Sequence, residues 1–141
     1  MIHNLSPITG TTKWCGPAAL SALLGITTDE AMARLELCGP PRNPEYTQPL
    51  DIIRVLEDVG WRVERYKLFD PASRPTLLWA VTAWMSDDGA YLAVTPTHFV
   101  ACGGGKVACS KNREPSEVTV KHPASRWPVV AIWKVIPPGS A

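Results

Sequence analysis

The sequence predicts an α+β domain in which N-terminal helices pack on a C-terminal antiparallel β-sheet. Helical spacing and capping residues dominate up to residue 60, whereas alternating or continuous apolar runs dominate from residue 61 onward. Three glycines between two apolar runs, residues 98–102 and 106–110, are typical of an antiparallel hairpin. With 141 residues the chain has the length of a single domain, which we assign to residues 1–141.

Local signals place the first two helices. Helix formers fill residues 16–24, and Gly25 is a suitable left-handed stop. A capping box then runs from Thr27 to Glu30, and apolar residues follow at helical spacing until Gly39, which ends the second helix.

Two further helices are predicted from their first residues. Thr47, with a proline two residues later, opens a third helix that Gly60 closes. The apolar run of residues 76–85 fits either a buried strand or a helix, and its length together with an N-cap at Thr76 favours the helix.

The strands follow the helices along the chain. Residues 61–66 alternate with a period of two, as a partly exposed strand does, and residues 91–94 form a short apolar strand. The hairpin comes next, and residues 128–136 supply a final, largely buried strand. The polar stretch of residues 113–127 is predicted to be irregular.

Charge and composition exclude several classes of protein. Fourteen Lys and Arg against 13 Asp and Glu give a net charge of +1, so the chain lacks the basic surplus of a nucleic-acid or membrane-surface binder. No signal peptide and no apolar run long enough to span a bilayer is visible. The four cysteines form no Cys-x-x-Cys pair, so we expect reduced thiols, a cytoplasmic location, and neither a metal nor a cofactor.

Cys15 is the candidate nucleophile. It stands where the irregular N-terminal segment turns into the first helix, directly before Gly16-Pro17. Unpaired backbone N–H groups and the helix dipole at such a position favour the thiolate over the thiol. The alternative is a small buried residue that only packs at a helix start.

His98 is the candidate general base, because it opens a strand whose next residues are apolar and hold its backbone in place. The other histidines, His3 and His122, lie in segments without regular structure. A zinc site would need Cys38 and His98 to join the two hairpin cysteines, and we expect those cysteines to be core residues instead.

Asn112 is the candidate group that orients the histidine. If the hairpin loop is 104–106, position 103 pairs with 107 and Asn112 lies opposite His98. Its amide oxygen would then accept from the imidazole N–H and fix the tautomer. Ser110 and Glu114 share the parity of Asn112 and are the reserve candidates.

These blocks resemble a known superfamily. Trp14-Cys15-Gly16-Pro17-Ala18-Ala19-Leu20, then Thr97-His98-Phe99-Val100, then Asn112 look like the Cys, His and Asn/Asp blocks of papain-like cysteine peptidases. The compact build resembles the peptidases that cleave double-glycine leaders from bacteriocins, and related small phage or bacterial proteins. The resemblance implies a helix-borne nucleophile that faces a twisted antiparallel sheet, and thiol hydrolase or acyl-transfer chemistry.

The chain departs from that pattern before the cysteine. Such enzymes usually carry a Gln about six residues earlier that donates to the oxyanion, and here that position is Thr9. Loss of one oxyanion donor costs about 10²–10³ in rate, so other groups would have to donate in its place. The candidates are the Cys15 backbone N–H together with Thr9, Thr12 or Lys13. Trp14 either lines the cleft or packs against the sheet.

The sequence therefore predicts a thiol hydrolase, namely a peptidase, amidase or isopeptidase, that works through Cys15, His98 and Asn112 and an acyl-thioenzyme. Its substrate would be a peptide, a protein or another amide or thioester. Two alternatives stay open: an acyltransferase that uses the same thioester, and a non-catalytic module that binds a host protein, in the host cytoplasm if a phage encodes it. Specificity would reside in the groove walls, residues 40–48 and 113–127.

Overall fold

The computed structural model describes residues 4–38 and 47–139. Within these ranges the chain forms helices α1–α4 and strands β1–β6, which confirms the predicted α+β class. A three-residue 3₁₀ turn, Pro71–Ser73, precedes α4. The elements are α1 Cys15–Leu24, α2 Thr28–Leu37, α3 Pro49–Asp58, β1 Arg62–Leu68, α4 Leu77–Trp84, β2 Ala90–Val94, β3 Phe99–Gly103, β4 Lys106–Cys109, β5 Asn112–Glu117 and β6 Ala131–Ile136.

Side-chain caps begin two of the helices as predicted. The Thr27 hydroxyl accepts from the Glu30 backbone N–H at 3.1 Å, and the Thr76 hydroxyl accepts from the Trp79 N–H at 3.2 Å. Each cap satisfies an N–H group that has no partner within its helix. The predicted stop at Gly39 lies outside the described residues.

The start of α3 differs from the prediction by one residue. The N-cap is Gln48 rather than Thr47, and the Asp51 carboxylate accepts from the Gln48 N–H at 2.8 Å. Pro49 is the first helical residue, where its missing N–H costs nothing. The proline therefore sets the boundary, and a threonine two positions before it stays outside the helix.

The sheet is antiparallel throughout, in the order β1-β6-β2-β3-β4-β5. The β3–β4 turn consists of Gly104 and Gly105, both with positive φ, so Gly103 pairs with Lys106. The predicted three-residue loop, and with it the pairing of 103 with 107, is wrong by one position. Two consecutive left-handed glycines make the tighter turn because its twist matches that of the strands.

β5 was not predicted, since we expected residues 113–127 to be irregular. Its sequence is polar and contains Pro115, and β4 is its only neighbour in the sheet order. Proline is tolerated at a sheet edge because the edge leaves N–H positions without a ladder partner. The described residues include no helix long and apolar enough to cross a membrane.

The two faces of the sheet contact different layers. Leu92 and Ala101 point towards α1–α3, whereas their chain neighbours Ala93 and Val100 contribute to a second cluster with Leu77 of α4. This alternation follows from the strand pleat. The N-terminal helices thus pack on one face, as predicted, and α4 with the segment before β6 covers the other.

Small side chains line the contact between α1 and the sheet. Ala18, Ala19 and Ala22 of α1 share one core cluster with Ala101 of β3 and Ala108 of β4, and all five are at most 1% exposed. Alanines on both surfaces allow a helix and a sheet to approach closely, because no large side chain separates the backbones. This contact determines where the first residue of α1 lies relative to β3.

Candidate active site

Cys15 is the first residue of α1. The N-cap before it, Trp14, has extended backbone angles, φ −72° and ψ 147°, and its carbonyl accepts from the Ala18 N–H at 3.1 Å. The first N–H groups of a helix have no partner within it, so those of Cys15 and Gly16 are available at the helix end. The half-buried thiol therefore lies at the positive end of the helix dipole.

The segment before Cys15 is tied to α2. Thr11 and Thr12 donate their hydroxyl hydrogens to Oδ1 of Asp29 at 2.8 and 2.7 Å. The Thr28 N–H donates to the carbonyl of Thr9 at 2.8 Å, and the Thr12 N–H donates to the Thr28 hydroxyl at 3.1 Å. These bonds fix the approach of the chain to the helix start.

Burial raises the pKa of the Cys15 thiol. The backbone amides of Phe99, Cys15 and Gly16 lower that pKa, and the nearby thiol of Cys109 raises it. Because desolvation is the largest contribution, the predicted bias towards the thiolate is wrong for the resting protein. The thiol is protonated at neutral pH and needs a base.

Thr95 holds the backbone of His98, which immediately precedes β3. The Thr95 N–H donates to the His98 carbonyl at 2.9 Å, and the His98 N–H donates to the Thr95 hydroxyl at 2.9 Å. The imidazole stacks on the indole of Trp127, with centroids 4.5 Å apart and planes 13° apart. Its two ring nitrogens make no hydrogen bond with any residue in 4–38 or 47–139.

Burial lowers the pKa of His98, and the positive charge of Lys111 lowers it further. The imidazole is therefore neutral at physiological pH, so one ring nitrogen has a lone pair that can accept a proton. A neutral imidazole and a protonated thiol have the protonation states that a general base and its nucleophile need before reaction, rather than those of a preformed ion pair.

The structure brings Cys15 to the start of β3. Its thiol is within electrostatic reach of the Phe99 amide, and Phe99 directly follows His98. No hydrogen bond joins the Cys15 sulfur to the His98 ring in the described part of the chain. Hydrogen bonds between catalytic groups are often long before substrate binds, so proximity at the helix end is the relevant observation.

Asn112 is the first residue of β5 and pairs with Cys109 of β4. Its amide nitrogen donates to the Cys109 sulfur at 3.7 Å, and among described residues it makes no hydrogen bond to His98. Continuing the observed β3–β4 register to His98 leads to Lys111 instead. Of the reserve candidates, Ser110 lines a cavity beside α1, and Glu114 is exposed on β5.

The four residues before Cys15 that we proposed for the oxyanion site or the cleft have different surroundings. Thr9 is exposed, and the hydroxyl of Thr12 already donates to Asp29, so it has no hydrogen left for an oxyanion. Lys13 is exposed and lines the same cavity as Ser110. Trp14 is 37% exposed and belongs to neither core cluster of the described chain.

Trp127 is a site residue that sequence reasoning missed. It lies in the segment before β6, far along the chain from His98, and no local pattern marks it as a partner of a histidine. Of the other histidines, His122 accepts at Nδ1 from the Ala124 N–H at 3.0 Å, and His3 lies outside the described residues.

All four cysteines are free thiols. Complete burial raises the pKa of Cys102 to about 12, which leaves it inert at neutral pH. Burial also raises the pKa of Cys38, and the negative charge of Asp58 is the second largest cause of that increase. The described residues contain no group of three or more His, Cys, Asp or Glu side chains that could hold a metal ion.

Comparison with known proteins shows the fold. No family model matches the chain, and no curated protein sequence does. Among solved structures, a double glycine motif protease from an AMS/PCAT transporter, crystallised with the leader peptide, matches with TM-score 0.59 and 13% identity over 96% of this chain and 94% of that one. The peptidase domain of ComA from Streptococcus, a bifunctional ABC transporter involved in quorum sensing, matches with TM-score 0.57 and 15% identity over 96% and 98%. The chain has the papain-like fold of these peptidase domains, as the resemblance implied.

Proposed function

We propose that this protein is a cysteine hydrolase that attacks an amide, isopeptide or thioester carbonyl through Cys15. One observation carries the proposal: the thiol at the N-terminus of α1 packs against the core cluster that contains Phe99, and the residue before Phe99 is a histidine whose ring nitrogens make no hydrogen bond with the described residues. Two peptidase domains have the same architecture, which supports the reaction class.

The protonation states define the first step. His98, neutral because burial and Lys111 lower its pKa, takes the proton of the Cys15 thiol as the sulfur attacks the carbonyl carbon. The resulting imidazolium gives that proton to the leaving amine or thiol. An acyl-thioenzyme remains, and water resolves it in a hydrolase, whereas an amine acceptor would make the protein an acyltransferase.

Backbone groups supply the first oxyanion donor. The Cys15 N–H has no partner within the helix and lies beside the sulfur, as an oxyanion donor must. Lys13 or the hydroxyl of Thr9 would provide the second, since the hydroxyl of Thr12 donates to Asp29. A lysine donor would stabilise the oxyanion by charge as well as by hydrogen bonding.

Asn112 keeps the third role in this proposal, that of orienting His98. Its amide oxygen accepts no hydrogen bond from the described residues, whereas its amide nitrogen donates to the Cys109 sulfur. Trp127 fixes the plane of the ring by stacking, and an amide acceptor would fix the tautomer. Stacking and hydrogen bonding thus restrain different degrees of freedom of the imidazole.

A peptide or protein is the proposed substrate. One of the two similar structures contains a leader peptide, and both are peptidase domains. We extend to this chain only the chemical class, a peptide whose scissile carbonyl reaches the end of α1. A cytoplasmic location and a host-protein partner remain predictions, which fractionation and crosslinking in the native host would test.

Two observations favour a second candidate, a binding module on the same scaffold. The position of the expected oxyanion glutamine is Thr9, and no hydrogen bond joins Cys15 to His98 in the described chain. Such a module would bind its peptide in the same groove and leave it intact.

An acyl-electrophile probe separates these candidates. A peptide that ends in Gly-Gly and carries a thiol-reactive electrophile should label Cys15, and peptide mapping should show loss of the label in Cys15→Ala. His98→Ala should slow labelling by about 10²–10⁴, the usual contribution of general base catalysis. Cys38→Ala removes another half-buried thiol and is the matched control.

Alkylation by iodoacetamide across pH provides the second measurement. If Cys15 reacts no faster than Cys38, Cys102 and Cys109 near neutral pH, the base-assisted nucleophile is wrong and the binding module is favoured. Faster alkylation of Cys15 that disappears in His98→Ala supports the hydrolase.

A further inference from the structure

A cavity of about 280 Å³ is lined by residues on both sides of Cys15 in the chain, among them Lys13 and Ala18. It forms where the segment before α1, the first turns of α1, and the β4–β5 connection meet. Lys13 is two residues before Cys15, and Lys111 is the charge that acts on His98. The lining residues are Thr12, Lys13, Ala18, Ser110, Lys111 and Arg113.

The lining of this cavity is cationic. Lys13, Lys111 and Arg113 contribute three positive charges, and none of the described lining residues is acidic. The ion pairs among residues 4–38 and 47–139 are Arg34–Glu30 and Arg62–Glu64, so none of the three cations has an acidic partner there. In a chain with a net charge of +1, this is a local concentration of positive charge.

The guanidinium of Arg113 has one nitrogen that is hydrogen-bonded and one buried nitrogen that is not. Its Nη2 donates to the Gly10 carbonyl at 3.2 Å, and its Nε is buried without a hydrogen-bond partner among the described residues. Buried donors without a partner are rare in native proteins, and each requires an explanation. A guanidinium held in this way is preorganised, and its fork of N–H groups matches the two oxygens of a carboxylate.

We propose that this cavity binds a carboxylate of the substrate next to the bond that Cys15 attacks. The inference rests on the proposed function for its substrate, and it adds that the substrate is anionic near the scissile bond. The carboxylate is either the side chain of an Asp or Glu or the free C-terminus of the peptide. Lys111 and Arg113 would bind the oxygens, and the Ser110 hydroxyl would donate to them.

Two alkylating reagents of nearly equal size test the site without any turnover. Iodoacetate carries a carboxylate, and iodoacetamide carries a neutral amide. In the unmodified protein the Cys15 rate with iodoacetate should saturate with concentration, whereas the rate with iodoacetamide should rise linearly. The ratio of the two rates cancels any effect of a substitution on the thiol itself.

Lys111→Gln should lower the ratio of iodoacetate to iodoacetamide rates by roughly tenfold, the factor for one charge-assisted hydrogen bond. Arg113→Lys keeps the charge but loses the fork, so it should lower the ratio less. Lys106→Gln is the matched control, because it removes one exposed charge at the β3–β4 turn, the opposite end of β3 from His98. Thermal melts confirm that each variant is folded.

Three outcomes would overturn the proposed carboxylate site. The first is no saturation with iodoacetate, and the second is no change of the rate ratio in Lys111→Gln. The third is an equal fall of the ratio in Lys106→Gln, which would indicate a general electrostatic effect of the protein's positive charges. Failure of the proposed function has a different signature. A protein that discriminates the two reagents but neither turns over substrate nor loses reactivity in His98→Ala has the anion site without the hydrolase.

Peptide pairs identify the source of the carboxylate. Protection of Cys15 against iodoacetamide is compared for acetyl-Gly-Gly-Glu-amide and acetyl-Gly-Gly-Gln-amide, and for acetyl-Gly-Gly with a free or an amidated C-terminus. Stronger protection by the Glu peptide assigns the cavity to an acidic side chain, and stronger protection by the free acid assigns it to a chain terminus. Equal protection within both pairs would overturn the proposal.

Discussion

The imidazole of His98 stacks on the indole of Trp127, with ring centroids 4.5 Å apart and an angle of 13° between the planes. Stacking restricts the imidazole to one plane, yet leaves both of its nitrogens at the ring edge free of hydrogen bonds from the described residues. A tryptophan from the segment before β6 therefore holds the ring of the proposed base.

Trp127→Ala should reduce kcat/KM about 2- to 12-fold, the equivalent of the 0.5–1.5 kcal/mol that an aromatic pair contributes. The same change removes the cover over the imidazole, and burial is the main cause of the low pKa of His98. NMR titration should therefore show the His98 pKa rising towards its ordinary value. Trp127→Phe retains a stacking ring and should restore both readouts in large part. An unchanged His98 pKa in the alanine variant would contradict the positioning role.

Asn112→Ala should lower kcat by about 10- to 100-fold if the amide accepts from the imidazolium, since a hydrogen bond to a charged group contributes about 1.5–3 kcal/mol. The loss should appear in kcat rather than in KM, because the bond strengthens as His98 becomes charged. Cys109→Ser is the control, since it alters the sulfur that the Asn112 amide contacts and leaves the amide oxygen intact. If kcat is unchanged in Asn112→Ala but falls in Ser110→Ala, Ser110 rather than Asn112 orients His98.

Gly16→Ala should destabilise the protein, because a Cβ at Gly16 would lie 2.7 Å from the Cβ and Oγ1 of Thr47. Overpacking of this kind costs about 1–3 kcal/mol, measurable as a lower urea midpoint. The displaced helix start should also slow alkylation of Cys15. Thr47→Gly removes the side chain that the new Cβ would clash with. Gly16→Ala should therefore lower the free energy of unfolding less in the Thr47→Gly variant than in the original protein. A double variant without such coupling would contradict the steric explanation.

Asp29 should make the protein acid-sensitive. Hydrogen bonds from Thr12 and Thr11 lower its pKa from 3.8 to about 2. A depressed pKa in the folded state stabilises the protein above about pH 4, and this contribution is lost as the pH falls towards about 2. Asp29→Asn should flatten the pH dependence of Tm between these values. A pH dependence of Tm identical to that of the original protein would contradict the lowered pKa of Asp29. The rate of Cys15 alkylation in Asp29→Asn at neutral pH shows how far the segment before α1 depends on this carboxylate.

Local chemistry explains what the sequence could predict. Thr27 and Thr76 cap their helices with their own side chains, so three or four neighbouring residues contain the whole signal. Cys15 and His98 could be found for the same reason, since each stands at the start of an element whose apolar pattern is visible. The structure places both at the junction of α1 and β3.

Features that depend on long-range contacts, or on a choice between local structures of similar energy, could not be predicted from the sequence. A three-residue loop, Gly104-Gly105-Lys106, and a two-residue loop, Gly104-Gly105, are hairpin turns of similar plausibility, and the observed two-residue loop shifts every later pair by one residue. β5 has no alternating pattern, because backbone hydrogen bonds stabilise it: it pairs with β4, and its Arg113 carbonyl accepts from the Ile8 N–H at 2.9 Å. The stacking of Trp127 on His98 depends on tertiary packing, which no local pattern records. Of the predicted groove walls, residues 40–46 lie outside the described chain.

The alanines between α1 and the sheet act as a spacer whose thickness is one methyl group on each side. Cys15 belongs to the helix and His98 directly precedes a strand of the sheet, so this spacer sets the gap between the proposed nucleophile and the proposed base. A valine at Ala19 or Ala101 would widen the gap and impair the reaction without touching either residue. In a screen for inactive variants such substitutions would mimic losses of catalytic groups, although the chemistry at both side chains would be intact.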